Sequence, residues 1–334
     1  MMYWSVQMMS SDNMYGEIPY VGKPVSRIIF GTAVSPLLAG QEEDEQLDAV
    51  LAAGINTLDM ARNYQEAENV VGKWMKKRGC RDRLVLISKC GHPLSDGTKR
   101  ISESEIRKDF AESAEALGTD YIDIYLLHRD DPAVEAGAVI EIMNALYVEG
   151  KIRTFGGSNW SHRRIEEANE YAYCHGLMPF SVSSPNFGLA EQVADPWGGG
   201  CVSISGSQNQ EARDWYRRMK MPIVAYSSLA RGLFSGRVKG DAPEDADKIL
   251  DMFAMKGYAS PRNFERLRRC ERLAAEKKAT VAQIALCWIF KQNLNVFAVV
   301  GTTNTKRLLD NLNALRIEMT PSEAEYLNLE RDDI

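Results

Sequence analysis

The chain has 334 residues, of which 45% are hydrophobic and 26% charged, and its formal net charge at pH 7 is −6. This composition is typical of a globular protein, and the scattered basic residues argue against a nucleic-acid partner or an anionic membrane surface. No apolar run approaches the roughly 20 residues that a membrane-spanning helix needs, and the N-terminus lacks the charged start and apolar block of a signal peptide.

Eight short apolar segments, each followed by a segment with helical periodicity, succeed one another along the chain. They are apolar on both faces and rich in Ile, Val, Leu and Tyr, as buried parallel strands are. Eight strand–helix units close naturally into a (β/α)8 (TIM) barrel of the α/β class, and no GxGxxG follows the first strand to favour an open sheet. The predicted strands are residues 27–33, 55–61, 83–91, 121–130, 152–159, 180–186, 222–229 and 296–302.

Capping signals mark several of the intervening helices. Ser102 and Glu105 form a capping box that opens one helix, and Gly118 ends it. A second capping box begins at Thr280. Thr320, which is followed by proline, begins a short C-terminal helix.

We expect residues 1–334 to form a single barrel domain with three additions. Residues 1–25 form an N-terminal extension, and residues 15–24 within it are predicted to form a hairpin that closes the bottom of the barrel. Insertions of residues 187–207 and 230–279 follow the sixth and seventh strands. They lie at the C-terminal face, where barrel enzymes build their substrate pockets.

The six cysteines are widely spaced and form no CxxC pair. Disulfide frameworks and metal sites use closer spacings, so we expect reduced thiols in a cytoplasmic protein. The four histidines form no HExxH motif, and we expect no catalytic metal. The pattern leaves the oligomeric state open.

Polar side chains end three of the predicted strands. Asp59 ends the second strand, Lys89 the third and His128 the fourth, and Tyr64 follows Asp59 in the next loop. Because the ends of parallel barrel strands face the same way, we expect these four side chains to converge. Each alone has an ordinary explanation as an ion pair or a packed side chain, but the ordered set favours a catalytic site.

The set suits proton transfer to a carbonyl oxygen. We expect the ammonium of Lys89 to lower the pKa of Tyr64 from its ordinary value near 10, and Asp59 to hold that ammonium in place. Tyr64 would then act as a general acid, and His128 would donate a hydrogen bond to the same oxygen. None of the four is a good nucleophile, which favours hydride or proton transfer over acyl transfer.

Six segments, in the right order and over roughly residues 20–328, resemble the aldo-keto reductase superfamily. The resemblance implies that Asp59, Tyr64, Lys89 and His128 are its catalytic tetrad. The segments are GINTLDMARNYQ (54–65), ISKCG (87–91), YLLHRD (125–130), GGSNW (156–160), AYSSLARGLFSG (225–236) and VVGTTNTKRLLDNLNAL (299–315).

The resemblance also implies a nicotinamide cofactor, NADP(H) in preference to NAD(H). Ser158 and Asn159 would hold the carboxamide, and Tyr226 would stack on the nicotinamide ring. Ser227 and Leu229 would lie along the pyrophosphate. The full set of implied cofactor contacts is Gly31, Thr32, Ser158, Asn159, Ser184, Tyr226, Ser227, Leu229, Gly301, Thr302, Thr303, Arg307, Asp310 and Asn311.

The NADP preference depends mainly on Arg307. Thr302 and Thr303 would line the region of the 2′-phosphate, and Arg307 would reach that phosphate or stack on adenine, whose edge Asp310 and Asn311 would contact. A helix that opens at these residues is also a natural anion site. The chain departs from the family pattern at two positions. Gly301 stands where some members carry Lys, and Ser184 stands where many carry a Gln that binds the carboxamide.

The sequence therefore predicts an oxidoreductase that transfers hydride between the nicotinamide and an aldehyde, ketone or alcohol. A polar group of residues near the strand ends favours a sugar- or polyol-like substrate over simple aliphatic or aromatic aldehydes; it comprises Asn63, His92, Arg129, Asp130 and Asp131. Two alternatives stay open: a nucleotide-sensing binding protein of the channel β-subunit type, and a lyase or isomerase that uses bound cofactor transiently.

Overall fold

The computed structural model describes residues 14–334. In chain order, its strands are β1 (Tyr15–Gly16), β2 (Val25–Ser26), β3 (Ile28–Gly31), β4 (Thr57–Asp59), β5 (Val85–Cys90), β6 (Ile122–Leu127), β7 (Ile152–Ser158), β8 (Val182–Ser184), β9 (Ile223–Ala225) and β10 (Val296–Val300). Strands β3 to β10 form a closed parallel barrel in which each strand pairs with the next and β10 pairs with β3. This barrel confirms the predicted (β/α)8 fold, and each of its strands lies within its predicted segment.

Helices connect the barrel strands and cover their outer faces. They are α1 (Ser35–Leu38), α2 (Asp44–Ala52), α3 (Ala67–Arg78), α4 (Glu103–Leu117), α5 (Ala136–Val148), α6 (His162–Cys174), α7 (Gln210–Met219), α8 (Met252–Tyr258), α9 (Pro261–Glu276), α10 (Val281–Phe290), α11 (Thr305–Asp310) and α12 (Pro321–Leu327). Short 3-10 turns span Arg81–Arg83, Ser207–Asn209, Ala230–Gly232, Pro243–Lys248 and Asn311–Arg316.

The predicted helix caps are present. The Ser102 hydroxyl accepts a hydrogen bond from the backbone N–H of Glu105, whose side chain accepts one from the Ser102 N–H, and Gly118 ends α4 with φ 63°. Thr280 and Thr320 form the same reciprocal box at the starts of α10 and α12. Each box satisfies backbone donors that the first helical turn leaves free.

The N-terminal hairpin closes the bottom of the barrel, as predicted, although residues 1–13 of the predicted extension lie outside the described residues. Strands β1 and β2 pair antiparallel, and the Tyr15 hydroxyl donates to the Gly54 carbonyl oxygen at 2.9 Å. Ile18, Val21 and Val25 pack against the apolar side chains inside the barrel. Those interior side chains are Ile29, Val85, Ile87, Ile124, Leu126, Val182, Val224 and Phe297.

The predicted insertion of residues 187–207 follows β8 and is anchored at both ends. At one end, Arg266 on α9 pairs with Glu191 at 2.5 Å, and Asn263 exchanges hydrogen bonds with the Glu191 backbone. At the other end, Arg213 on α7 donates to the carbonyl oxygens of Ile204 and Gly206. One end is therefore held by α9 of the second insertion and the other by α7, which connects β8 to β9.

The predicted insertion of residues 230–279 contains two of the 3-10 turns together with α8 and α9. All six cysteines are unpaired thiols, four of them buried. None of the helices within residues 14–334 is both long and apolar enough to cross a membrane. The same described residues hold no cluster of His, Cys, Asp and Glu suited to a metal ion.

Gly156 lies at the closest approach between two barrel strands. It pairs with Val182 across β7 and β8, and a Cβ atom at Gly156 would lie 1.7 Å from the Val182 carbonyl oxygen. The atoms that a Cβ atom at Gly156 would meet first are the carbonyl oxygen and carbon of Val182. Because these are backbone atoms of the paired strand, neither strand can move apart without disturbing the barrel. We expect Gly156→Ala to lower the free energy of unfolding by about 3 kcal/mol or more, measured by urea denaturation.

Gly79 provides the matched control. It ends α3 in the left-handed conformation, with φ 59° and no atom near the added methyl group. Gly79→Ala should therefore cost only about 1–2 kcal/mol of backbone strain. Equal losses from the two substitutions would contradict the steric explanation.

Candidate active site

A cleft of about 1580 Å³ opens at the C-terminal ends of the barrel strands. This volume exceeds the range of about 300–1,000 Å³ that is common for small-molecule pockets, so the cleft has room for an extended ligand beside a second small molecule. Asp59, Tyr64, Lys89 and His128 all line it, together with parts of both insertions. The four side chains that the sequence singled out therefore share one cavity.

Lys89 and Asp59 form a buried ion pair at the ends of neighbouring strands. Lys89 Nζ donates to Asp59 Oδ1 at 2.7 Å and to the Met60 carbonyl oxygen at 2.7 Å. Only 4% of the Lys89 side chain and 6% of the Asp59 side chain are exposed. The ammonium is therefore held at a fixed position by two acceptors with little competition from water.

Tyr64 reaches the pair from the loop between β4 and α3. A turn that bonds the Tyr64 N–H to the Ala61 carbonyl oxygen brings the ring over Lys89, whose Nζ lies 5.0 Å from the ring centroid. The rings of Tyr64 and His128 meet edge to face, with centroids 5.8 Å apart. Loop and strand ends together place the hydroxyl, the ammonium and the imidazole around one point of the cleft.

The pKa of Tyr64 differs in direction from the sequence expectation. Burial raises the pKa of the Tyr64 hydroxyl above its ordinary value of 10.0, and the attraction of Lys89 opposes this rise without cancelling it. Burial also lowers the pKa of Lys89, but Asp59 and Tyr64 together outweigh it, so that pKa lies above its usual value. At neutral pH, Tyr64 therefore keeps its proton and Lys89 its charge.

His128 is a neutral imidazole. Burial, followed by the charges of Lys89 and Arg129, holds its pKa well below the ordinary value of 6.5. Its Nδ1 atom is enclosed without a hydrogen-bond partner among the described residues. The proton is therefore best placed on Nε2, where a ligand in the cleft can accept it.

Asn159 connects His128 to the rest of the cleft wall. Its Nδ2 donates to the His128 carbonyl oxygen at 3.2 Å, and its Oδ1 accepts from the Tyr226 hydroxyl at 2.7 Å. Oδ1 also accepts from the N–H of Val202 in the first insertion at 3.1 Å. Asn159 adopts φ 61°, in the left-handed region that asparagine tolerates better than most residues.

Most of the cofactor contacts implied by the resemblance line the same cleft. They are Gly31, Ser158, Asn159, Tyr226, Ser227, Leu229, Gly301, Thr302, Arg307, Asp310 and Asn311. Arg307 is exposed at the start of α11, a helix of only six residues. The Asn304 side chain already caps the Arg307 N–H, so the charge of Arg307, rather than the helix terminus, is the feature that can attract an anion.

Three of the implied contacts do not line the cleft. Thr32 is buried, and its hydroxyl donates to the Asp59 carbonyl oxygen at 2.9 Å, which ties β3 to β4. Ser184 is buried in β8, where its carbonyl oxygen accepts from Ser158 and its own hydroxyl is enclosed without a partner among the described residues. Thr303 is exposed outside the cavity.

The polar group expected at the mouth of the cleft is only partly there. Asn63, His92 and Arg129 line the cleft, whereas Asp130 and Asp131 do not. Asp130 instead pairs with Arg164 on α6 at 3.4 Å. A contact between separate elements, which no local pattern encodes, thus removes one carboxylate from the mouth.

The cleft wall carries more cations than the sequence analysis assigned to it. The second insertion contributes Arg231, Arg237 and Lys239, and the signal for them in the sequence is their place in an insertion that follows a barrel strand. The lining cations are Lys89, Lys99, Arg129, Arg231, Arg237, Lys239 and Arg307, and the lining carboxylates are Asp59, Glu271 and Asp310. The cavity is therefore positive although the chain is acidic, and it is suited to anionic ligands.

Residues 27–329 match the sequence profile of the Aldo/keto reductase family. The chain is 28% identical over 289 residues to the aldo-keto reductase str7 of Strobilurus tenacellus, an alignment that covers 85% of this chain and 80% of that protein. It is 27% identical over 298 residues to the probable aryl-alcohol dehydrogenase AAD4 of Saccharomyces cerevisiae, with 85% of each covered.

A solved structure has the same fold. The glycerol dehydrogenase AKR11B4 of Gluconobacter oxydans superposes with a TM-score of 0.74 at 21% sequence identity, over 94% of each chain. The family match spans all eight barrel strands and the cleft that they carry. The chain therefore belongs to the aldo/keto reductase family, whose members are oxidoreductases that act on aldehydes, ketones and alcohols.

Proposed function

We propose that this protein is an NADP(H)-dependent oxidoreductase that interconverts an aldehyde or ketone with the corresponding alcohol. One observation carries the proposal: the buried Lys89–Asp59 pair, with Nζ and Oδ1 2.7 Å apart, lies beneath a cleft-lining Tyr64 ring that meets the His128 ring. The arrangement provides a proton donor, a fixed ammonium and a neutral hydrogen-bond donor around one point. That combination suits a carbonyl oxygen that gains charge as it is reduced.

In the reductive direction, Tyr64 Oη delivers its proton to the carbonyl oxygen. Lys89 Nζ stabilises the phenolate that remains, and Asp59 acts as the positioning residue for Lys89. His128 Nε2 donates a hydrogen bond to the same oxygen and fixes the direction of the carbonyl group. In the oxidative direction, the Tyr64 phenolate takes the proton back from the alcohol.

The donors around the cleft fit a dinucleotide cofactor, which when bound supplies or accepts the hydride. Ser158 and Asn159 would hold the nicotinamide carboxamide, and Tyr226 would form the wall behind the ring. Ser227 and Leu229 would border the pyrophosphate. The cation excess along the cleft supports an anionic cofactor.

Arg307 would contact the 2′-phosphate, because a guanidinium offers a planar set of donors that a phosphate can accept. This contact is the basis for proposing NADP(H) rather than NAD(H).

A polar carbonyl compound, such as one derived from a sugar or polyol, is the substrate class that the mouth of the cleft favours. Asn63, His92 and Arg129 offer hydrogen-bond donors there. The yeast relative is named a probable aryl-alcohol dehydrogenase, which supports an alcohol–carbonyl pair as substrate and product.

Removal of the Tyr64 hydroxyl tests the proton donor. We expect Tyr64→Phe to lower kcat for carbonyl reduction by about 10²- to 10⁴-fold, because the variant lacks the group that delivers the proton to the carbonyl oxygen. NADPH oxidation is followed by absorbance with a panel of sugar-derived and aromatic aldehydes, and NADPH binding should be unchanged.

Tyr173→Phe, at a tyrosine that is 64% exposed on α6, is the control and should leave kcat unchanged. Full activity in Tyr64→Phe would remove Tyr64 from the mechanism. Tight NADPH binding by the wild type without turnover of any carbonyl would point to a nucleotide-sensing protein instead.

Arg307→Ala tests the cofactor preference. Loss of a charge-assisted contact should weaken NADPH binding by about 10- to 100-fold and leave NADH binding unchanged, as measured by quenching of intrinsic fluorescence. Lys306→Ala removes the same charge at a neighbouring exposed residue that does not line the cleft, and it should change neither affinity. Equal losses for NADPH and NADH would contradict a 2′-phosphate contact.

The pH profile of reduction tests the protonation states. Reduction requires protonated Tyr64 and is lost as pH rises through its pKa, which lies above 10.0. His128 stays neutral because its pKa lies well below 6.5. With saturating NADPH and an uncharged aldehyde, kcat/KM should therefore stay level from about pH 6.5 to about pH 10. A loss that begins on the alkaline side below about pH 9, or an acid limb near the ordinary histidine pKa, would contradict these assignments.

A further inference from the structure

Arg129 is a buried cation that forms no ion pair with a carboxylate of residues 14–334. It follows His128 directly, its relative exposure is 8%, and it lines the cleft. Among the described residues, its one hydrogen bond runs from Nη1 to the His128 carbonyl oxygen, at 3.0 Å. Buried charges are normally paired, because burying an unpaired charge costs several kcal/mol. A single hydrogen bond to a neutral acceptor typically does not offset that cost.

Two other buried arginines of this chain use more of their donors. Arg266 pairs with Glu191 at 2.5 Å and also donates to Asn263. Arg213 donates to two carbonyl oxygens and to the Gln210 side chain. Arg129 therefore differs from them in how few of its five N–H groups the protein uses.

The unused donors of Arg129 are open to the cleft. None of its nitrogens is both fully enclosed and unpartnered, so the donors that no protein atom takes up have access to the cavity. Gly200 of the first insertion covers the aliphatic part of the side chain, since a Cβ there would lie 3.5 Å from Arg129 Cδ. The stem is thus packed while the guanidinium faces the space where a ligand would lie.

The carboxylates of Asp59 and Asp130 are engaged with other cations. Asp59 is neutralised by Lys89, and Asp130 pairs with Arg164 and does not line the cleft. The charge of Arg129 is felt at the reacting groups, because it contributes to the shifts of both Tyr64 and His128. An anionic group on a ligand that approaches Tyr64 and His128 would therefore meet an uncompensated guanidinium.

We propose that Arg129 binds a carboxylate on the substrate and makes the enzyme selective for aldehydes and ketones that also carry a carboxylate group. The inference rests on the proposed function and narrows its substrate class. A guanidinium presents parallel N–H donors that match the two oxygens of a carboxylate. Arg129 follows β6, and none of the expected cofactor contacts lies on β6 or in the loop after it, so we assign Arg129 to the substrate rather than to the cofactor.

Two pairs of compounds, each a carboxylate and its uncharged methyl ester, test the proposal. They are 4-carboxybenzaldehyde with methyl 4-formylbenzoate, and 4-oxobutanoate with its methyl ester. For at least one pair, the wild type with NADPH should reduce the acid with a kcat/KM about 10-fold or more above that for the ester. A preference for the ester, or equal values in both pairs, would overturn the proposal.

Substitution of Arg129 assigns the preference to this side chain. Arg129→Met keeps the packing beneath Gly200 and should lower kcat/KM for the acid by about 10- to 100-fold, mainly through KM. Reduction of the ester should fall by a clearly smaller factor than reduction of the acid, and an unchanged circular-dichroism spectrum and melting temperature would show that the variant is folded. Arg129→Lys keeps the positive charge but lacks the parallel N–H donors of a guanidinium. It should therefore show part of the preference that Arg129→Met loses.

Lys99→Met is the charge-matched control. Lys99 is an exposed cation at the rim of the same cleft, so its loss removes one positive charge without touching the proposed contact. The acid-to-ester ratio should stay within about twofold of the wild-type ratio. An equal loss of preference in Lys99→Met and Arg129→Met would show a general field effect and overturn the assignment to Arg129.

Binding of a product analogue separates the two hypotheses. Isothermal titration of 4-(hydroxymethyl)benzoate into the wild type with NADPH, a combination that cannot exchange hydride, should show binding that Arg129→Met weakens by about 10-fold or more. If the wild type reduces the esters without an Arg129-dependent preference for acids, this inference fails and the proposed function stands. If no carbonyl is reduced but binding still depends on Arg129, the proposed function fails and the carboxylate site stands.

Discussion

The buried pair of Lys89 and Asp59 is the interaction on which the site depends. Removing two charges from water costs several kcal/mol for each ion, and a well-packed apolar pair would often be at least as stable. Two features offset this cost. The ends of β4 and β5 lie side by side in the barrel, and Lys89 Nζ has a second acceptor in the Met60 carbonyl oxygen. The pair keeps an ammonium fixed under Tyr64. A solvated lysine would move, and water would screen its charge.

A second consequence follows from where the carboxylates go. Asp59 is used by Lys89 and Asp130 by Arg164, so the cleft keeps a cation excess in a chain whose net charge is −6. Low-dielectric walls concentrate such a local field, which is therefore stronger at the reacting groups than net charge suggests. By our two proposals, the same excess would attract a phosphate-bearing cofactor near Arg307 and a carboxylate near Arg129.

The sequence predicts the barrel and its strand-end residues well for a physical reason. Parallel strands covered on both faces read as short apolar runs, and a polar residue such as Lys89 at the end of one is conspicuous. Capping boxes such as that of Ser102 and Glu105 involve residues only three positions apart, so they can be predicted from the local sequence. The direction of the Tyr64 pKa was not predictable in this way, because it balances the pull of Lys89 against burial by loops distant in sequence. The partner of Asp130 is likewise set by tertiary packing.

The residues of the proposed proton transfer and the residues around the proposed substrate contact lie in different parts of the chain. Lys89 and His128 sit at the ends of barrel strands, whereas the first insertion covers Arg129 through Gly200. The insertion is tied down at both ends, but three successive glycines with positive φ let its middle approach the Arg129 side chain closely. Asn159 joins the two parts, because its amide bonds both the His128 carbonyl oxygen and the Val202 N–H. A change in the insertion can therefore reshape the wall around the substrate while the proton donor and its ammonium stay in place.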